Sequence, residues 1–359
     1  MEYSGQIADG RMHGNGTCRY ENGDVHAGAF DMGRRSGTGK YTHADGGSYD
    51  GQWVDDSEHG LGTRVFAGGN EYVGTWERGV ISGRGVLRYV DGDVYDGDFQ
   101  DEKMHGEGRY TFSNGDVYDG GWANDKRHGR GEVVYASDTS DGVAERYSGD
   151  WADGVMEGQG RYEYADSSVY EGQWSGGCMA GAGQLTLADG TEYSGGFEAD
   201  QKSGHGVLTH PNGDCYDGTW RVDKAHGKGT QRLADGETFT GDLFEGVRQG
   251  SGELRTAAGD FYDGAFKNDV SHGEGSMQFA NGSTYEGGWA DGARCGQGRT
   301  KLGSGEVHEG LYDRGRRHGK GELRLTGGHR AAGEWRDGEL NGPVTLVLSP
   351  ASPWLEQSL

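Results

Sequence analysis

The sequence predicts an all-β chain, a single elongated and twisted stack of β-hairpins. Three observations predict it. The tripeptide Tyr-x-Gly returns every 23 residues, as at Tyr49, Tyr72, Tyr95 and Tyr118 and again at Tyr170, Tyr193 and Tyr216. Large and small residues inside each period are spaced by two, which is the strand period. Asp-Gly or Asn-Gly closes most periods, and such dipeptides supply the positive φ of tight turns. A period of this length marks a repeat array, in which each unit buries its apolar face against its neighbours.

With the tyrosine as position 0, the anchors are Tyr3, His26, Tyr49, Tyr72, Tyr95, Tyr118, Tyr147, Tyr170, Tyr193, Tyr216, Phe239, Tyr262, Tyr285, His308 and Ala331, fifteen in all. Glycine follows at +2 and an aromatic residue usually at +4, as in Tyr49, Gly51 and Trp53 or Tyr95, Gly97 and Phe99. These share one face of a first strand. Glycines at +11 and +13, such as Gly60 and Gly62 or Gly106 and Gly108, share one face of a second strand with an apolar pair beyond them. Glycine weakens a strand, so its place beside a large ring implies that the ring lies over the backbone. Dipeptides such as Asn22-Gly23, Asp91-Gly92 and Asn114-Gly115 are expected to make the hairpin turns.

The array is expected to occupy residues 1–348, with 349–359 as a tail. Only the step from Tyr118 to Tyr147 departs from the period, at 29 residues instead of 23. The extra residues fall within 136–146, a polar stretch that reads as an enlarged turn. On the opposite face, acids at +1 (Asp50, Asp96, Asp119) and bases at +12 or +14 (Arg84, Arg109, Arg130) predict a solvated surface with weak cross-strand ion pairs.

Composition agrees with a thin array. The chain has 74 glycines, 4 prolines and a hydrophobic fraction of 32%, which without the period would indicate disorder. A net charge of -24 disfavours nucleic acid and the anionic membrane surface. No apolar run is long enough for transmembrane insertion. The start, Met1-Glu2-Tyr3-Ser4-Gly5, reads as the first repeat and not as a signal peptide. Cys18, Cys178, Cys215 and Cys295 form no CxxC motif, which fits a reducing cytosol.

The pattern Tyr-x-Gly-x-Trp, then Gly-x-Gly, then Asp/Asn-Gly resembles the MORN repeat, over nearly the whole chain from Tyr3 to about Leu348. The kinase, methyltransferase or membrane anchor that accompanies such repeats elsewhere is not expected here, since the repeats take up nearly all of these residues. A chain of about fifteen such repeats is similar to the all-MORN scaffold proteins of apicomplexan and trypanosomatid parasites. That resemblance implies a cytoplasmic protein of a membrane-proximal cytoskeletal structure, such as the basal complex or the region of the flagellar pocket. It also implies homodimers joined through the C-terminal repeats.

Candidate sites lie where the pattern breaks. The segment Pro343–Leu348 is the most β-prone in the chain and would form an open edge strand. Its tail could cover it through Trp354 and Leu355, another partner could, or a second copy could, the reading preferred here. The dimer surface would then comprise Leu323, Leu325, Val344, Leu346 and Leu348. Histidines recur at +10, and Cys295 with His318 suits zinc only if a second subunit adds ligands, so no cofactor beyond such a structural zinc is expected. Basic pairs at Lys126, Arg127 and Arg316, Arg317 are candidates for phosphoinositide headgroups. No HExxH, GxSxG or P-loop motif occurs, and the Gly-x-Gly pairs precede no helix, so no enzyme is expected. The function expected is a non-enzymatic homodimeric scaffold recruiting cytoskeletal proteins, with a phosphoinositide-binding module as the alternative.

Overall fold

The computed structural model describes residues 1–137 and 143–350. Thirty strands, from β1 (Glu2–Ala8) to β30 (Glu339–Val347), and no helix are present among them. The all-β class is as the period predicts. The chain divides into two compact units, Met1–Gly181 and Ala182–Leu359. In the first, every strand from β1 to β15 (Val169–Ser175) pairs antiparallel with the next. In the second, the same holds from β17 (Glu192–Glu198) to β30. Strand β16 (Cys178–Thr186) spans the division.

One repeat shows the construction. Strands β5 (Ser48–Val54) and β6 (Ser57–Val65) form a hairpin through Asp55 and Asp56, both at positive φ (49° and 67°). Two consecutive left-handed residues make the type I′ turn that matches strand twist. The tight turn is therefore at +6 and +7, and Asp or Asn often makes it without glycine. The dipeptides expected to do so are elsewhere: Gly23, Gly92 and Gly115 lie in five-residue loops that join one hairpin to the next. In the first of these, the Tyr20 N–H donates to the Asp24 carbonyl (2.9 Å) and the Gly23 N–H to the Tyr20 carbonyl (3.1 Å). The polar insertion enlarges one such loop, whose base is still closed by the Tyr135 N–H and Glu145 carbonyl at 2.9 Å. Residues 138–142 of the insertion and the tail residues Trp354 and Leu355 lie outside the described residues.

The +13 and +2 glycines behave as expected. A Cβ on Gly62 would lie 2.4 Å from the Tyr49 hydroxyl oxygen, and one on Gly51 would lie 2.6 Å from the Gly62 Cα. The ring lies flat against two backbones that only glycine brings so close. The +11 glycines differ. Gly51 pairs with Gly62 but Gln52 pairs with His59, so Gly60 sits in a bulge at φ +61°. Gly106 repeats this, also at φ +61°. The bulge frees carbonyls of the ladder, and the anchor hydroxyl closes the gap: Tyr49 donates to the Gln52 carbonyl at 2.9 Å, with the His59 carbonyl 3.2 Å away.

The core is one continuous seam on this face of each unit. The Tyr49 ring meets Trp53 of its own repeat edge-on at 5.1 Å and Trp76 of the next at 5.4 Å. Tyr95 does the same with Phe99 at 5.1 Å and Trp122 at 5.3 Å. Each such pair adds about 0.5–1.5 kcal/mol beyond the burial itself. Indole N–H groups reach back one repeat, as Trp53 Nε1 does to the Gly39 carbonyl (2.8 Å) and Trp122 Nε1 to the Gly108 carbonyl (2.9 Å).

Candidate binding surfaces

The charged face is the solvated surface that the sequence predicts. Arg84 pairs with Asp96 at 3.2 Å, Arg109 with Asp119 at 3.6 Å and Arg130 with Asp150 at 2.9 Å. All six side chains are at least one-third exposed, so each pair contributes little.

Two polar ladders on the aromatic side were not read from the sequence. The acid two residues before an anchor accepts from the loop one repeat on: Asp93 takes the Tyr110 hydroxyl at 2.7 Å and the Ser113 N–H at 2.8 Å. The Tyr110 bond, followed by that from Ser113, holds the Asp93 carboxyl below its ordinary range. Asp24 repeats both bonds with Tyr41 and the Ala44 N–H. The turn acid at +7 accepts the +9 N–H of the preceding repeat, as Asp56 does from Arg35 (2.9 Å) and Asp125 from Met104 (2.8 Å). The signal for the first was the recurrence of acids beside loop glycines, and for the second the recurrence of acids within the two-residue turns, both of which loop preference alone also explains.

The +9 side chain lies over the aromatic seam. Arg35 stacks on Trp53 at 4.2 Å, Arg127 on Trp151 at 4.1 Å and Arg317 on Trp335 at 4.9 Å. This places the basic pairs proposed for lipid headgroups. Arg127 and Arg317 are committed to indole faces, and Lys126 and Arg316 pair with Asp153 and Asp337, each at 3.6 Å. Where +9 is Ala225, a cavity of about 390 Å³ opens over Tyr216.

Two anchors are histidines. His26 and His308 are fully buried, and burial followed by a nearby arginine lowers each imidazole to about 4. His308 Nδ1 lies 2.8 Å from the Tyr312 hydroxyl, whereas His26 has Phe30 at the matching position and no such hydroxyl.

At the C-terminal end, the small anchor Ala331 is matched by Val344, which stands opposite Gly333 where other repeats have glycine. A Cβ on Gly333 would meet Leu340 at 3.2 Å and Val344 at 3.6 Å, so these side chains occupy space that a tyrosine ring fills elsewhere. Val344, Leu346 and Val347 remain 45%, 59% and 54% exposed. Leu323, Leu325 and Leu348 are half-buried. Among the described residues β30 pairs only with β29 (Arg330–Arg336).

Cys295 on β26 (Ala293–Lys301) and His318 on β28 (Arg316–Arg324) are separated by β27 (Val307–Asp313). Strands two apart are about 9.6 Å apart, too wide for one metal. No group of three or more His, Cys, Asp or Glu able to hold a metal occurs among the described residues. The pair does not by itself fit a zinc site.

The MORN repeat family matches residues 3–25, 26–48, 49–71, 72–94, 95–117, 118–140, 147–169, 170–192, 193–215, 216–238, 262–284, 285–307, 308–330 and 332–343. This chain belongs to the MORN repeat family. The MORN match passes over 239–261, the repeat anchored by Phe239, yet strands β21 (Thr238–Phe244) and β22 (Val247–Arg255) form the same hairpin there. No catalytic family is indicated, and no curated protein matches the chain. Among solved structures, the TCP10 domain of Danio rerio CPAP in complex with a STIL peptide is 13% identical, with a TM-score of 0.21, covering 75% of this chain and 96% of that one. Virginiamycin B lyase from Staphylococcus aureus, in a catalytically inactive form with quinupristin, is 9% identical, with a TM-score of 0.14 and coverage of 85% and 98%. Likenesses this low carry no argument about what the MORN chain does.

Proposed function

We propose that this MORN-repeat chain is a non-enzymatic scaffold that forms a homodimer through its C-terminal hairpins and recruits protein partners along its repeats. The observation that carries the proposal is the edge of β30, which among the described residues pairs only with β29. Such an edge, bearing exposed Val344, Leu346 and Val347, is a template for another strand. The N-terminal strand, β1, exposes Glu2, Ser4 and Gln6, with Ile7 as its one exposed large apolar side chain. The run of three exposed apolar side chains on one strand thus belongs to β30, which favours a closed, two-fold pairing through it.

The resemblance to all-MORN scaffolds supports a cytoplasmic, cytoskeletal setting. Phosphoinositide headgroups are the weaker partner class, since Lys126, Arg127, Arg316 and Arg317 already have partners within the chain. A structural zinc at the dimer end would need ligands from the second copy beside Cys295 and His318, and metal analysis of the purified dimer tests it.

Light scattering tests the main proposal. The wild-type chain is expected at twice 38.5 kDa, and Val344→Glu with Leu346→Glu at the single mass with unchanged circular dichroism. A wild-type monomer, or a mutant that keeps the doubled mass, refutes it.

A further inference from the structure

One repeat lacks the side chain that covers its anchor ring, and its neighbours show what that side chain is. Position +9 carries Arg35, Arg127, Lys202, Arg248, Arg294 and Arg317 in six repeats, and Met or Ile in five. Four of the cations lie over their own repeat's anchor ring: Arg127 over Tyr118 (5.7 Å), Lys202 over Tyr193 (5.6 Å), Arg248 over Phe239 (4.9 Å) and Arg294 over Tyr285 (5.6 Å). Three of the arginines also donate to the +7 carbonyl of the next repeat. Arg35 Nη2 reaches Asp56 O at 2.8 Å, Arg127 Nη2 reaches Gly154 O at 3.1 Å and Arg294 Nη2 reaches Gly315 O at 2.7 Å.

In the repeat anchored by Tyr216 the +9 residue is Ala225, whose methyl can neither stack nor donate. The space is the 390 Å³ cavity, lined by Tyr216, Trp220, Ala225, Leu208, Leu233 and Gln231. The corresponding +7 carbonyl is that of Gly246, which also lines it. Tyr216 is 7% exposed, whereas the anchors from Tyr49 to Tyr193 and from Phe239 to Tyr285 are at 0–1%. Ser271, the other small +9 residue, leaves its anchor Tyr262 closed at 1%. Around the mouth stand Asp214, Asp223 and Glu245 against the single cation Lys224.

We propose that this slot takes an arginine side chain of a partner polypeptide, supplying in trans the guanidinium that other repeats supply in cis. The platform is the Tyr216 ring, the acceptor is the Gly246 carbonyl, and the acidic mouth excludes anions and favours a cation over the methionine that some repeats use. The inference deepens the scaffold reading by naming what a partner must present, and it rests on that reading.

The nine tryptophan indole signals of the full chain give the readout, with Trp220→Phe assigning the one that lines the slot. The probes are acetyl-Gly-Arg-Gly-amide, its citrulline analogue and its methionine analogue. The arginine peptide is expected to shift the Trp220 signal saturably at millimolar concentration, and the other two are not. Ala225→Arg, which supplies in cis a guanidinium over the Tyr216 ring and beside the Gly246 carbonyl, with Leu243 where Arg127 meets an indole, is expected to abolish the response and raise the melting temperature. The proposal is overturned by no response to the arginine peptide, by an equal response to citrulline or methionine, by a response that persists in Ala225→Arg, or by a melting temperature that does not rise. Light scattering on the same samples separates the two readings, because a chain that is dimeric yet blind to arginine loses only the slot.

Discussion

The two glycines of each Gly-x-Gly pair should fail for different reasons, and the repeat anchored by Tyr95 makes the test. A Cβ on Gly108 would lie 2.3 Å from the Tyr95 hydroxyl oxygen and 2.4 and 2.5 Å from Cε2 and Cζ of the ring. The ring cannot yield easily, since it is fully buried between Phe99 and Trp122. Gly108→Ala must push it by about 1 Å, which costs about 1–3 kcal/mol of overpacking. It also breaks the bond from the Tyr95 hydroxyl to the Asp98 carbonyl, now 2.9 Å, worth about 1 kcal/mol more. The expected loss is therefore about 2–4 kcal/mol. In a Tyr95→Ala background the obstacle is gone, and Gly108→Ala should cost well under about 1 kcal/mol. The chain contains a natural counterpart in Ala331 with Val344. Gly106→Ala differs, because its nearest atom is the flexible Asp98 carboxylate at 2.8 Å and its cost comes from φ +61°. That cost, about 1 kcal/mol, should persist without Tyr95. Hydrogen exchange of β9 (Val94–Gln100) and β10 (Lys103–Thr111) is the suitable assay, since repeat arrays need not unfold in one step. A Gly108→Ala penalty unchanged by Tyr95→Ala would refute the reasoning.

Other outcomes follow from the same contacts. His26 and His308, lowered from 6.5 to about 4, are neutral when folded and bind a proton more readily when unfolded, so their contribution is complete above about pH 6.5 and drains away as pH falls towards 4. Each should remove up to about 3 kcal/mol locally over that window, and His26→Tyr should flatten the slope in exchange profiles of the first hairpins. Asp93→Ala strands the Tyr110 hydroxyl and the Ser113 N–H and should destabilise by about 1–3 kcal/mol, seen as faster exchange in β9 and β10 and in β11 (Val117–Ala123). Trp122→Phe keeps the ring contact but loses the bond to the Gly108 carbonyl, for a loss of about 1 kcal/mol in the same assay.

The hairpins, the buried ring face and the charged outer face were legible because a 23-residue period repeats the same parity along the chain. The bulge at Gly60 was not, and parity explains why: the ladder skips two residues, so every side chain stays on its face. The turn was misplaced for a related reason. Asn22-Gly23 has the composition of a tight turn, whereas the true turn at Asp55 and Asp56 is written in carboxylates that resemble ordinary surface. Position +9 escaped notice because Met104, Arg127 and Ile81 share length and not polarity, and a pattern read by polarity passes over it. The Ala225 slot is visible only once the neighbouring side chains are seen lying across the rings.

The loop closed by the Tyr135 N–H and the Glu145 carbonyl has a consequence for how such chains change over evolutionary time. Every bond that joins two repeats, from indole to glycine carbonyl or from turn acid to amide, finds its partner by counting residues along both strands. Gain or loss of chain inside a strand or a two-residue turn puts all of them out of step at once, whereas a whole period, or any number of residues added beyond the closing bond of a loop, leaves them matched. Lineages of this array should therefore differ in length by quanta of one repeat, with the remainder confined to loops such as the one at 136–146.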